Sequence, residues 1–131
     1  MGSNNYETSN VISRIAGGTI AARRLVKLDT TAGQVVACSA ITDVAIGVSL
    51  HSASSGQTVE IQTSGVAEIE ASDAVALGAE VMPTAAGAGK CVTAAGATAR
   101  SCGLAETISS ADGEFIRARI NLPNLKGMAN A

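Results

Sequence analysis

The second half of this 131-residue chain is a diverged copy of its middle. At an offset of 56 positions, QVVACSA at residues 34–40 aligns with KCVTAAG at residues 90–96, and both copies then place a glycine inside a strand-like segment, at Gly47 and Gly103. An internal repeat constrains the architecture more than any single motif does. Two copies are too few for a solenoid, so the repeat predicts one compact domain with two pseudo-symmetric halves, at residues 25–63 and 81–120.

Short alternating segments separated by turn residues predict β-strands in both copies. Val59 and Ile61 fall on one face of the first copy's last strand. The closing strand, residues 115–122, places every second apolar residue on one face in the same way. Roughly eight such segments, with no sustained 3.6-residue period, predict an all-β sandwich or barrel. Residues 73–77 leave two alternatives open, a single helical turn or a loop between the copies.

The segments outside the predicted β domain, residues 19–123, are polar. Residues 1–18 are rich in Ser and Asn, hold one apolar cluster and end on Gly17-Gly18, so they predict an extended N-terminal arm. A disordered tail, left in part by cloning, is the alternative for these residues. Residues 124–131 follow Pro123 and predict a C-terminal tail.

Small side chains dominate the composition, which includes no Trp, one Tyr and one Phe. Since a fully buried Val or Leu contributes only roughly 1.5–3 kcal/mol, such a core predicts that partners add stability. The net charge of −2 divides into +3 over residues 1–28, −8 over residues 29–115 and +3 over the remainder. Basic ends favour a negatively charged partner surface, although solvated strand faces would give the same counts.

Few residues offer reactive chemistry. His51 is the one histidine and has no acidic neighbour in sequence, so neither a metal site nor an acid–base pair is predicted. Cys38, Cys91 and Cys102 lack CxxC spacing and predict buried thiols rather than a disulfide framework or zinc site. Residues 87–90 lack two positions that a phosphate-binding loop requires. We therefore predict no catalytic residue, no cofactor and no metal.

Membrane and nucleic-acid partners are not predicted either. No segment approaches the roughly 20 apolar residues that span a bilayer, and the N-terminus lacks the apolar stretch of a secretory signal. The chain is therefore expected to be made in the cytoplasm. Aromatic side chains, on which bases would stack, are almost absent.

Six short elements, in this order and spacing, resemble the tailed-phage capsid cement or head decoration family. They extend over about four-fifths of the chain, from residue 19 to residue 122. The pair Met82-Pro83 stands where the family often has an aromatic residue. The six elements are Ile46-Gly47-Val48, residues 55–61 (SGQTVEI), residues 65–69 (GVAEI), residues 77–81 (LGAEV), residues 102–106 (CGLAE) and residues 115–120 (FIRARI).

The resemblance implies a structural protein with no catalytic residues. Such a protein assembles in the host bacterial cytoplasm, binds the outer surface of an assembled head and clamps adjacent major capsid protein subunits. Self-association as a homotrimer is expected, with a dimer as the alternative. The arm is the expected capsid contact, and the candidate contact residues are Val11, Ile12, Arg14 and Ile15, with Arg23 and Arg24 as secondary candidates.

Two other functions remain open from the residues. A phage tail or fibre-associated β module, or an adhesion domain, would share the all-β pattern. A lipoyl-type carrier domain also has two pseudo-symmetric β halves, but it presents its modified lysine at a hairpin tip. Lys27 and Lys90 instead fall in or beside predicted strands, which disfavours this second alternative.

Overall fold

A computed structural model describes residues 10–84, 88–94 and 101–123 of the chain. Within these ranges it contains ten β-strands and no helix, which confirms the all-β prediction. No helix in the described ranges could therefore serve as a membrane span. Residues 73–77 form a loop, not a helical turn. The strands are β1 (Val11–Ala16), β2 (Leu25–Leu28), β3 (Gln34–Ala37), β4 (Ala45–Ser49), β5 (Thr58–Gln62), β6 (Ser64–Glu70), β7 (Glu80–Pro83), β8 (Cys91–Thr93), β9 (Gly103–Ala105) and β10 (Phe115–Asn121).

The two halves have the same strand order when β1 to β5 are matched in turn with β6 to β10 and the second sheet is followed in the opposite direction. The first half is a closed barrel with the order β1-β3-β2-β4-β5, in which β1 pairs parallel with β3 and antiparallel with β5. The second half is a sheet with the order β6-β10-β9-β7-β8. Its two ends approach at a single parallel bridge between Ala71 and Cys91, which corresponds to the Ala16–Val35 pair that helps close the barrel. This shared strand order is what an internal repeat would produce, and each half includes one further N-terminal strand, β1 or β6.

Part of the predicted N-terminal arm is one of the strands that form the barrel wall. Residues 11–16 form β1, which pairs with β5 along its whole length. Ala16 is buried in the barrel core and Ile12 packs against that core. Val11 and Ile15 point outward, so apolar residues stand on both faces and hide the alternation of a strand. Residues 1–9 of the predicted arm and the predicted tail, 124–131, lie outside the described residues.

Two apolar clusters show how the halves pack. One fills the barrel and includes Val26, Val59 and Ile61. The larger one combines the inner face of the second sheet with side chains from the outside of the barrel, among them Leu25 and Val48. The second sheet therefore lies across β2 and β4 of the barrel, and the two halves share a core. The predicted inward faces are confirmed, because Val59, Ile61, Ile116, Ala118 and Ile120 are all buried.

A compact polar cluster reinforces this junction. The Arg24 guanidinium lies 3.1 Å from one carboxylate oxygen of Glu70, and Lys90 Nζ lies 3.3 Å from the other. The Leu25 amide also donates to the Gly89 carbonyl at 2.7 Å. A Cβ at Gly89 would stand 2.6 Å from the Leu25 carbonyl oxygen, so this close approach of the two backbones requires glycine.

Candidate functional site

The outward side of β1 is the first candidate contact surface, here called the β1 surface and consisting of Val11, Ser13 and Ile15. Two large apolar side chains stand in solvent there, with Val11 48% and Ile15 37% exposed. Arg14 is also exposed, but it stands opposite buried Val59 and so belongs to the other face of β1, with Ile12 and Ala16. Its Nη1 donates to the carbonyl of Ser13 at 2.8 Å. The β1 surface therefore presents apolar area, and the positive charge of Arg14 lies near it, at the Ser13 carbonyl.

The β1 surface also includes an open strand edge. β3 pairs with β1 only at Ile15 and Ala16, so it does not flank the N-terminal half of β1. The Ile15 amide donates towards β3, to the Gly33 carbonyl at 3.3 Å. By strand alternation, the amides of Val11 and Ser13 point to the same side, beyond the end of β3. Such an edge can accept a strand from a partner through main-chain hydrogen bonds.

The structure brings together only some of the six candidate contact residues. Val11 and Ile15 share the β1 surface, whereas Ile12 and Arg14 alternate onto the other face of β1, where Ile12 is half-buried against the barrel core and Arg14 is exposed. Arg23 has a left-handed backbone with a φ of 63°, and its Nε lies 3.7 Å from Glu68. Arg24 is held in the junction cluster with a side chain only 16% exposed. The two secondary candidates therefore lie at the junction of the halves.

A second exposed surface lies on the outside of the second sheet. The outer sheet face, as we name it, is a row of three side chains on adjacent strands: Glu80 on β7, Leu104 on β9 and Arg119 on β10. Leu104 is opposite Glu80 in one strand pair and opposite Arg119 in the other. It is 45% exposed, and Arg119 Nε lies 2.7 Å from Glu106. A groove of about 460 Å³ adjoins the row.

Sequence reasoning did not select this face. The signal was present in the repeat, because Leu104 aligns with Val48 at the offset of 56. Val48 is buried in the shared core, whereas Leu104 is open to solvent. Comparing the two copies for apolar residues could therefore have identified Leu104, but its exposure follows only from the packing of the halves.

The groups with reactive potential are enclosed or engaged. Cys38, Cys91 and Cys102 are buried free thiols, and burial raises the pKa of Cys38 and of Cys91 to about 12. His51 Nε2 accepts from the Glu60 amide at 3.3 Å, so Nδ1 carries the proton and donates to the Ser52 carbonyl at 3.0 Å. In the ranges that the structure describes, no group of three or more potential ligands is arranged to hold a metal.

The fold is an all-β body, with exposed apolar and charged surfaces on both halves. A family model described as phage cement protein matches residues 8–120. The chain therefore belongs to the phage cement protein family, and it is a structural, capsid-associated component of a bacteriophage virion. No curated protein matches significantly in sequence.

Among solved structures, the fold is similar to the N base of the head fiber gp8.5 in bacteriophage phi29. The TM-score is 0.69 and the sequence identity 13%, and the match covers 91% of this chain and 99% of that chain. At this identity the likeness concerns the fold, and it agrees with the barrel and the second sheet described above.

Proposed function

We propose that the protein is a cement protein that binds the outer surface of an assembled phage head and stabilises it by bridging adjacent major capsid subunits. The observation that carries this proposal is the family match over residues 8–120. The structure supports it, because a clamp needs a rigid body and exposed faces but no reactive group. The three buried thiols and the engaged His51 agree with a protein that catalyses no reaction.

The β1 surface is the proposed capsid contact. Val11 and Ile15 supply exposed apolar area, and the N-terminal half of β1 supplies a strand edge that β3 does not flank. Arg14, exposed on the other face of β1, remains a candidate contact. Strand addition to such an edge gives affinity through main-chain hydrogen bonds, with side chains adding specificity. Ile12 supports this surface from beneath. Arg23 remains a secondary candidate contact, and Arg24 acts by holding the two halves together.

Self-association would strengthen weak capsid contacts. When two binding modules are linked, the second contact becomes intramolecular, and a short flexible linkage gives an effective concentration on the order of mM. A homotrimer or a dimer on the outer surface of the head would both satisfy this requirement. The protein would join the head after synthesis in the host cytoplasm.

Point substitutions on β1 test the proposed contact. Deleting residues 1–18 is unsuitable, because it would remove β1 from the barrel. Ile15→Asp introduces a charge at an outward position, and Ile108→Asp is the matched control on the other half, where Ile108 is 64% exposed. Each variant is mixed with heads that lack the protein, and bound protein is measured by co-sedimentation.

We expect Ile15→Asp to weaken head binding by at least about tenfold, or roughly 1.4 kcal/mol, and Ile108→Asp to bind like the wild type. Heads carrying the wild-type protein should also survive heating that opens bare heads. Equal binding by the two variants would remove β1 from the proposal. Failure of the wild-type protein to bind heads, or to protect them, would contradict the cement function itself.

A head-fibre base is the second candidate function. The observation that favours it is the fold shared with the N base of the phi29 head fiber. Electron microscopy of virions separates the two candidates, because a cement protein appears as a compact knob and a fibre base carries a projecting filament. Co-purification with tails rather than with DNA-filled heads would contradict both and favour a tail-associated module.

A further inference from the structure

The turn before β2 and the turn before β7 occupy the same place in the two halves. The Arg23 amide donates to the carbonyl of Ser49, at the end of β4, at 2.8 Å. In the second half, the Gly78 amide donates in the same way to the carbonyl of Ala105, at the end of β9, at 2.9 Å. Both turn residues have a left-handed backbone, with a φ of 63° at Arg23 and 80° at Gly78. Arg23 and Gly78 are therefore equivalent positions of the repeat.

Arginine at this turn strains the backbone, whereas glycine does not. In a left-handed conformation the Cβ of an L-residue crowds the following carbonyl oxygen, and glycine has no Cβ. Within the described ranges, Arg23 is the only non-glycine residue with a positive φ. Gly78 makes the same turn without a side chain, so the turn itself does not require arginine. The strain indicates that the Arg23 side chain has a function outside the turn.

The contacts that Arg23 makes within the chain do not account for this strain. Its ion-pair partner in the described ranges is Glu68, 3.7 Å from Nε, and the two side chains are 36% and 46% exposed. An exposed pair at this distance contributes little to stability. The Arg23 carbonyl accepts from the Glu70 amide at 3.0 Å, but any residue at this position would offer that carbonyl.

Arg23 lines a polar pocket where the two halves meet, here called the junction pocket. The pocket has a volume of about 260 Å³ and is lined by Arg23, Gln62, Val66, Glu68 and Arg117. Arg117 lies on β10, directly opposite Glu68 on β6. The Arg117 guanidinium forms no ion pair with any residue that the structure describes. Two guanidinium groups and one carboxylate therefore give the pocket a net charge of +1.

Gln62 makes this pocket richer in donors than in acceptors. Its Nε2 donates to the carbonyls of Ser64 and Val66 at 2.9 and 3.1 Å, so these two acceptors at the edge of β6 are already engaged. The Val66 amide points to the same side of the strand as the Val66 carbonyl, because both groups of a strand residue share one direction. The pocket therefore presents N–H donors and positive charge, which suit an anion.

The fold also brings the two basic ends of the chain together here. Residues 1–28 and the stretch after residue 115 each carry a net charge of +3, whereas residues 29–115 carry −8. Arg23 comes from the first of these stretches and Arg117 from the last. An anionic partner would be repelled by the acidic body and attracted to the place where both basic ends meet.

We propose that the junction pocket binds a carboxylate group of a protein partner, supplied by an acidic side chain on the surface of the phage head. Such a contact presupposes the proposed head binding, on which this inference rests. Guanidinium groups hold carboxylates through paired N–H donors. Glu68 shows that a carboxylate reaches Arg23 from within the chain, but one carboxylate cannot accept from all the donors of two guanidinium groups. Arg117 is thus available to a second carboxylate.

Arg23→Gly separates binding from folding. Glycine relieves the left-handed backbone, so Tm should stay unchanged or rise by up to about 5 °C. Binding to heads that lack the protein, measured by co-sedimentation, should nevertheless weaken by at least about tenfold. Gly78→Arg is the converse control, because no atom lies within 4 Å of its added Cβ and only the backbone becomes strained. Its Tm should fall by roughly 3–5 °C while head binding stays unchanged.

Two further substitutions should change binding in opposite directions. Arg117→Gln removes the unpaired cation and should weaken head binding by at least about fivefold. Arg119→Gln makes the same charge change on the same face of β10, outside the pocket, and should bind within about twofold of the wild type. Glu68→Gln removes the carboxylate that competes from within the chain, so it should tighten head binding by at least about threefold.

The wild type is measured first, so that the two proposals fail in different ways. Absence of head binding by the wild type would overturn the cement function together with the junction pocket. Equal binding by the wild type and Arg23→Gly would overturn the junction pocket alone. A lower Tm for Arg23→Gly would remove the inference from strain, since arginine would then stabilise the turn. The pocket is also excluded if Arg119→Gln weakens binding as much as Arg117→Gln, or if Glu68→Gln fails to tighten it.

Discussion

Gly47 on β4 offers a sharp test of how tightly the barrel is closed. A Cβ at Gly47 would lie 2.2 Å from Cγ2 of Ile61 and 2.7 Å from the carbonyl oxygen of Gln62, whereas carbon atoms pack at about 3.5–4.0 Å. Ile61 is fully buried, and its β-branched side chain has little rotational freedom to move aside. The added methyl group can be accommodated only if β4 and β5 separate.

The expected cost of Gly47→Ala is about 3 kcal/mol, at the upper end of the range for overpacking a core. For a chain of this length each kcal/mol lowers Tm by roughly 3–5 °C, so Tm should fall by roughly 9–15 °C. Urea unfolding followed by far-UV circular dichroism measures the free energy of unfolding directly. Gly18→Ala is the control, because no atom lies within 4 Å of its added Cβ, and its stability should change by less than about 0.5 kcal/mol.

Comparison with the second half refines this prediction. A Cβ at Gly103 would lie 2.6 Å from the Arg119 carbonyl oxygen and 3.0 Å from Cγ2 of Ile120. The two edges of the second sheet are joined by only one bridge, so its strands can separate more easily than those of the closed barrel. Gly103→Ala should therefore cost less than Gly47→Ala. Equal, small losses at Gly47 and Gly18 would refute the close packing of β4 against β5.

Three further predictions concern buried and charged groups. Burial raises the pKa of Cys38 and of Cys91 to about 12. Both thiols should therefore react with thiol reagents at pH 8 at least about 1,000-fold more slowly than free cysteine until the protein unfolds. Fast labelling of the native protein would contradict their burial. Burial opposes ionisation of Asp43, but hydrogen bonds from Lys27 and from backbone amides outweigh it and lower the pKa of Asp43 below 3.8. The stabilising contribution of the Asp43 carboxylate is thus complete above about pH 4 and is lost as the pH falls through the lowered pKa. Asp43→Asn should lower the free energy of unfolding by about 1–2 kcal/mol at pH 7. In urea titrations the same variant should also show a flatter loss of stability with falling pH. Glu70→Gln should lower the urea midpoint more than Glu106→Gln, since Glu70 is 17% exposed and Glu106 36%; the reverse order would exclude a stabilising junction cluster.

The strands of the two copies could be predicted because their signals are local. Alternating residues fix the buried face of β5 and β10. Turn glycines recur at matching positions, and Gly33 and Gly89 have the same left-handed φ of 84°. Such patterns need no knowledge of distant contacts, so the sequence predicts the repeat and the all-β class.

The contacts of β1 and of the arginines could not be predicted in this way. β1 pairs with β5, more than 40 residues later in the chain, and its exposed Val11 and Ile15 hide its inward face. Arg24 looks like any surface cation in sequence, and only the packing of the halves brings Glu70 to it. These are non-local consequences of the fold, which residue patterns do not encode.

The divergence of the two copies follows from stacking a repeat only twice. When one half covers a face of the other, the equivalent face of the covering half has no third copy to bury it. Terminal units of repeat proteins meet this problem with polar residues on their outer face. Here Leu25 of the barrel corresponds to Glu80, which keeps that face soluble, whereas Val48 corresponds to Leu104, which keeps one apolar group in the middle. The two copies therefore differ where one is covered and the other is not, because Leu25 and Val48 are fully buried under the second sheet whereas Leu104 is 45% exposed beside Glu80.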